Sequence, residues 1–244
     1  MLRKCYDSVM KTRHFPYKHP TFGTDKNPKP KSAWESSVYY WWFEYLKRNE
    51  DYLKCCDNGG KGRLSKLYKD FGDIRTIPFK KWWLANQRGA ELFAEPSPED
   101  TVRVLNKGEQ ALDKSEALTI SFPINLPKDL LEKRFKQILD MEHKGKRGVQ
   151  LAKKSTAKYR FEGQPNIEAL RVALQVYDFK KANPDMKLFD IGNALPRFQL
   201  EHKFVDGETY SQRENKKNIL SATVGRIIKR VNDRIENVAI GQFP

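Results

Sequence analysis

The chain has 244 residues, of which 39% are hydrophobic and 12% aromatic, so we expect a folded core rich in rings rather than a disordered chain. Its formal net charge of +15 favours a polyanionic partner, nucleic acid first, although a solubilising charge or an anionic membrane stays open. The cysteines Cys5, Cys55 and Cys56 are odd in number and, with the scattered histidines, match no disulfide framework or zinc spacing. No secretory signal and no long apolar run is visible, so the expected protein is cytoplasmic, without a membrane span. No glycine-rich nucleotide-binding motif is present, so no cofactor is expected.

The first 95 residues divide into two parts by composition. Residues 1–31 are basic and punctuated by prolines, which predicts an extended arm that lies over the surface or is mobile. Ser32 and Glu35 fit a capping box and predict that a helix begins there. The spacing of the following rings predicts an aromatic helical unit over 32–95, in which Trp41, Trp42, Trp82 and Trp83 form a core or an interface for a second copy or another protein.

A proline-containing linker separates this unit from a predicted α(+β) domain over 101–244. Residues 101–105 and 118–124 alternate like short strands, and a helix is expected after Pro127. Residues 143–160 then hold seven Lys or Arg and no acidic residue. Further helices are expected after Asn166 and over 187–195, a hairpin is possible at Asp206 and Gly207, and a long helix should run from about 214 to 237. The predicted fold is therefore mainly α with a minor β component.

The last predicted helix separates an apolar face from a cationic face. Residues from Leu220 to Val238 recur with helical spacing on one side, while arginines and lysines fall on another. A helix that reads DNA needs this division, because one side is held by the protein and the other reaches phosphates and bases. The predicted nucleic-acid contacts are Lys216, Lys217, Arg226, Lys229, Arg230 and Arg234 on this helix, with Lys144, Lys146, Arg147, Lys153, Lys154 and Lys158 as phosphate contacts.

Two resemblances accompany these patterns. The string Ser221-Ala222-Thr223-Val224-Gly225-Arg226-Ile227 resembles the start of recognition helices in bacterial helix-turn-helix repressors. That resemblance implies a helix-turn-helix-like end in which 187–195 is the supporting helix, although roughly eighteen residues intervene where those families have three or four. The run from Thr223 to Pro244, the Trp-rich helix and residues 88–95 are similar to uncharacterised proteins of proteobacterial chromosomes and mobile elements, which implies no activity.

These features leave three hypotheses. The first is a non-enzymatic, regulator-type protein that binds DNA, with RNA not excluded. The second is a metal-dependent nuclease, because Asp190, Glu201 and Lys203 supply the two carboxylates and the lysine that such sites often use. The third is an assembly component that docks through its Trp-rich helices.

Overall fold

The computed structural model describes residues 15–95, 105, 108, 110, 118–142, 155–161, 163–198 and 203–244. It confirms the predicted fold class, because the described chain is mainly helical with one small sheet. The helices are α1 (Ser32–Glu35), α2 (Val38–Leu46), α3 (Glu50–Asp57), α4 (Ser65–Phe71), α5 (Phe79–Leu84), α6 (Arg88–Phe93), α7 (Lys128–Glu142), α8 (Ile167–Ala182), α9 (Leu188–Ala194) and α10 (Tyr210–Ala239). The strands are β1 (Arg160–Phe161) and β2 (Gln242–Phe243).

An aromatic core lies at the centre of the molecule, around Trp42 on α2. The Trp42 ring contacts Phe93, Tyr159, Phe161 and Phe243, with centroids 5.1–5.6 Å apart. Each of these rings buries a large apolar area, so they contribute strongly to the stability of the core. The core therefore gathers residues from both ends of the chain.

Polar contacts fix the N-terminal helices to the C-terminal ones. Asn49 donates from Nδ2 to the carbonyl of Ile235 at 2.8 Å, and the Tyr45 hydroxyl donates to the carbonyl of Leu170 at 3.2 Å. Among the described residues, the predicted boundary between 32–95 and 101–244 thus does not divide the hydrophobic core.

A smaller apolar cluster joins α8, α9 and the first half of α10. Its buried members are Val176, Ile191, Phe198, Leu220 and Val224. Gly192 allows the close approach of α9 and α10, because a Cβ there would lie 2.6 Å from Leu220 Cδ1. A Cβ on Gly225 would lie 3.5 Å from Leu188 Cδ1, an ordinary contact distance. This cluster and the aromatic core share Ile227, so α10 is packed along most of its length.

The β component lies elsewhere than the sequence predicts. Strands β1 and β2 pair in parallel, with Arg160 opposite Gln242 and Phe161 opposite Phe243. Residues 118–124 form no strand, so that prediction is wrong, and residues 101–104 lie outside the described residues. Asp206 and Gly207 form a turn, but the described residues beside them form no hairpin strands.

The start of the aromatic unit also differs from the capping-box prediction. Helix α1 ends after one turn, and its N-cap is Lys31, which makes no side-chain cap hydrogen bond. The chain turns at Ser37, whose hydroxyl donates to the carbonyl of Lys18 at 2.9 Å. This contact holds part of the predicted arm against the fold, as do Phe15, Tyr17 and Phe22, which pack on the aromatic core.

The tryptophans expected at an interface are interior residues. Trp41, Trp42, Trp82 and Trp83 are at most 7% exposed. The Trp82 indole also donates to the carbonyl of Phe71 at 2.7 Å, which satisfies its polar edge inside the protein. The prediction that a partner docks through these four rings is therefore wrong, because the fold already covers their surfaces. The four rings form part of the core instead. Within the described residues, no helix is both long and apolar enough to cross a membrane.

Candidate nucleic-acid interface

Helix α10 has the two faces that the sequence predicts, and it begins four residues earlier than expected. Thr209 forms a capping box with Gln212: the Gln212 amide donates to Thr209 Oγ1 at 3.3 Å, and the Thr209 amide donates to Gln212 Oε1 at 2.8 Å. This reciprocal cap satisfies backbone donors that the first turn leaves free. The buried side chains Leu220, Val224, Val231, Ile235 and Val238 then hold one face of the helix on the two apolar clusters.

Three of the predicted cations lie on the outer face. Arg226, Lys229 and Arg230 are exposed, and their spacing of three and four residues places them side by side on a helix. Among the described residues, the Arg226 guanidinium donates to its own helix, to the carbonyl of Ala222 at 3.3 Å and to Thr223 Oγ1 at 3.4 Å. Within the described ranges, no carboxylate lies at ion-pair distance from these three cations. Their charged groups therefore face solvent.

The other predicted cations of α10 have contacts within the protein. The Lys216 ammonium pairs with the Glu208 carboxylate and donates to the carbonyl of Lys203 at 2.9 Å. Lys217 pairs with Glu214 at 2.6 Å. The hydrogen bond from Lys216 holds the pKa of Glu208 below its usual range, and the hydrogen bond to Glu214 raises the pKa of Lys217. Lys216 and Lys217 thus help to fix the start of the helix.

Arg234 is turned towards the core rather than away from it. It is half-buried, and its guanidinium lies against the hydroxyl of Tyr45. Burial raises the pKa of Tyr45, while the charge and hydrogen bond of Arg234 oppose that rise. An incoming phosphate would have to compete with this contact, so Arg226, Lys229 and Arg230 are the more accessible group.

The predicted phosphate contacts of the basic stretch are mostly not described by the structure. Lys144, Lys146, Arg147, Lys153 and Lys154 lie outside the described residues. Lys158 is described and pairs with Asp70 of α4 at 2.6 Å. Beside it lie Arg160 and Lys66, which line the same open cavity. Sequence reasoning missed Lys66, because only the fold brings α4 next to β1.

The residues of the nuclease hypothesis do not form a described site. Asp190 lies exposed in the first turn of α9, Lys203 lies exposed before α10, and Glu201 is outside the described residues. Among the residues that the structure describes, no group of three His, Cys, Asp or Glu side chains is placed to hold a metal ion.

The two helices named in the helix-turn-helix resemblance, α9 and α10, pack on each other. Residues 195–209 separate the two helices, in place of a three- or four-residue turn. In comparisons with known proteins, no family model, no curated protein and no solved structure matches the chain.

Proposed function

We propose that this protein binds duplex DNA through the outer face of α10, without catalysing a reaction on it. The observation that carries the proposal is the row formed by Arg226, Lys229 and Arg230, three exposed cations on a helix whose opposite face is fixed in the core. A fixed helix presents its charges without having to become ordered when it binds, which lowers the entropic cost of association. The overall charge of +15 adds long-range attraction to a polyanion.

The length of α10 favours, as its binding partner, a nucleic-acid duplex whose major groove is wide enough to admit a helix. Thirty residues of helix are about 45 Å long, and the three cations lie in the middle rather than at the N-terminus. The major groove of B-form DNA is about 12 Å wide and admits a helix, whereas the major groove of A-form RNA is too narrow for side chains to read. We therefore favour DNA over double-stranded RNA, with the middle of α10 along the groove or the adjacent backbone.

A charge-matched comparison tests the interface. One variant carries Arg226→Ala, Lys229→Ala and Arg230→Ala. The control carries Lys133→Ala, Arg134→Ala and Lys136→Ala, which removes three exposed cations from helix α7. Fluorescence anisotropy of a labelled duplex should show at least about tenfold weaker binding for the α10 variant, since each lost phosphate contact is worth on the order of 1 kcal/mol or more. Circular dichroism confirms that both variants fold.

The α7 control separates a specific interface on α10 from a general effect of net charge. If both variants weaken duplex binding equally, only the net charge matters, and the interface on α10 is refuted. Binding that neither variant changes would place the contact elsewhere in the chain. Repeating the titration with single-stranded DNA and double-stranded RNA tests the preference for duplex DNA. Equal or tighter binding to either of these would contradict that preference.

A further inference from the structure

An open cavity of about 820 Å³ lies where α4, β1 and the turn after α10 meet. Lys66 and Asp70 of α4 line one side, Lys158 and Arg160 line another, and residues 240–242 close the end. This volume is within the range of small-ligand sites, which are usually about 300–1,000 Å³. The duplex interface proposed for α10 does not use these side chains.

The floor of the cavity is anchored in the aromatic core. The Tyr159 amide donates to the carbonyl of Leu92 at 3.0 Å, and the Tyr159 ring packs on Trp42 and Phe71. Burial, followed by the hydrogen bond to Asp70, raises the pKa of Tyr159, so its phenol keeps its proton and donates. The pairing of Arg160 with Gln242 holds the opposite wall. The Tyr159 ring and the β1–β2 backbone that border the cavity are thus fixed by the fold.

The charges around the cavity leave an excess of cations. Both oxygens of the Asp70 carboxylate are occupied, Oδ1 by the Lys158 ammonium at 2.6 Å and Oδ2 by the Tyr159 hydroxyl at 2.6 Å. Lys66 and Arg160 are exposed, and neither has a carboxylate at ion-pair distance among the described residues. Among the described residues, the Arg160 guanidinium makes a long contact of 3.5 Å to the carbonyl of Ser155. One carboxylate against three cations leaves two positive charges uncompensated.

The C-terminus of α10 repels an anion in this cavity, but only weakly. A helix C-terminus carries the equivalent of about half a negative charge, less than the two uncompensated cations. The amides of Ile240 and Gly241 also donate to the carbonyls of Asn237 and Val238, at 3.0 and 3.2 Å. The cations therefore make the net charge around the cavity positive.

We propose that this cavity binds a phosphate group, with Lys66 and Arg160 contacting its oxygens, while Asp70 neutralises Lys158. A guanidinium and an ammonium are the groups that proteins use to bind phosphate oxygens, the former in bidentate geometry. The phosphate belongs either to a small phosphorylated molecule or to the 5′ end of a nucleic-acid strand, since both carry the same dianionic group.

Titration calorimetry with inorganic phosphate, at ionic strength held constant with sodium chloride, tests the site on the full chain. We expect a Kd on the order of 1 mM or tighter, which is modest because the probe is small. The variant with Lys66→Ala and Arg160→Ala should bind about tenfold or more weakly, through the loss of two charge-assisted contacts. The matched control is Lys61→Ala with Lys81→Ala, two exposed lysines outside the cavity lining, and it should bind like the wild type.

A substitution that should strengthen phosphate binding distinguishes a phosphate site from a cluster with only a structural role. Asp70→Asn removes the negative charge and frees Lys158, so it should bind phosphate more tightly than the wild type even if it lowers stability. Absence of phosphate binding in the wild type, or equal weakening in the cavity variant and its control, would overturn the proposal. So would weaker binding by Asp70→Asn in protein that circular dichroism shows to be folded.

The source of the phosphate is decided by a second titration. Short single-stranded oligonucleotides that end in a 5′-phosphate or a 5′-hydroxyl are compared. A preference for the 5′-phosphate that Lys66→Ala with Arg160→Ala removes identifies a nucleic-acid end. Equal binding of the two oligonucleotides excludes that source and leaves a small phosphorylated molecule. The α10 variant should bind inorganic phosphate like the wild type, so this site and the duplex interface succeed or fail separately.

Discussion

Gly192 and Gly225 lie where α9 and α10 pack together, but the space beside them differs. A Cβ on Gly192 would lie 2.6 Å from Leu220 Cδ1 and 2.7 Å from Leu220 Cγ. A Cβ on Gly225 would find Leu188 Cδ1 at 3.5 Å, an ordinary van der Waals distance. Gly192 is therefore required by packing. Gly225 is not, and its effect is to give the unfolded chain more conformational freedom.

We predict opposite effects of alanine at these two positions. Gly225→Ala should raise the free energy of unfolding by about 0.5–1 kcal/mol, because alanine is the better helix former and meets no close atom. Gly192→Ala should lower it by about 1–3 kcal/mol, because Leu220 must move out of its packed position. Urea unfolding followed by circular dichroism measures both, and effects of the same sign would contradict the packing described for α9 and α10.

At the scale of the element, α10 was the most predictable part of the molecule. Its apolar residues recur from Leu220 to Val238 at the helical period, and burial follows that pattern. Its start was predicted too late because the first turns, from Tyr210 to Ile219, bury no side chain and carry little apolar signal. The capping box at Thr209 and Gln212 was present in the sequence and would have given the start.

Short strands were the least predictable elements. Residues 118–124 alternate as a strand does, yet they find no partner among the described residues. Residues 160–161 and 242–243 do pair, although each strand is two residues long and the two are far apart in the chain. Alternation reports that a segment could be a strand, but the pairing depends on a tertiary structure that brings both segments together.

At the scale of the whole molecule, the last residues of the chain complete the aromatic core. Phe243 is 1% exposed and packs on Trp42, Tyr45 and Phe161. The sequence predicted a ring-rich core over 32–95, but not that the rings of Tyr159, Phe161 and Phe243 would enter it. Likewise, Lys66 and Arg160 meet at one cavity only because β1 packs beside α4.

This shared core predicts how the protein unfolds. Phe243→Ala should lower the free energy of unfolding by about 3–5 kcal/mol, the usual cost of deleting a buried phenylalanine ring. Tryptophan fluorescence, which reports on the N-terminal helices, should change in the same urea transition as the circular dichroism signal. A fluorescence transition that Phe243→Ala leaves unshifted would show that the N-terminal unit is stable by itself.

The measurement that most directly tests the central claim is the salt dependence of duplex binding. Each phosphate contact made by a cation contributes about 0.9 to the slope of log K against log salt concentration. If Arg226, Lys229 and Arg230 all contact phosphates, their replacement by alanine should reduce the slope by up to about 2.7, whereas the α7 control should keep the wild-type slope. An unchanged slope in the α10 variant, or an equal reduction in both variants, would contradict binding of DNA along α10.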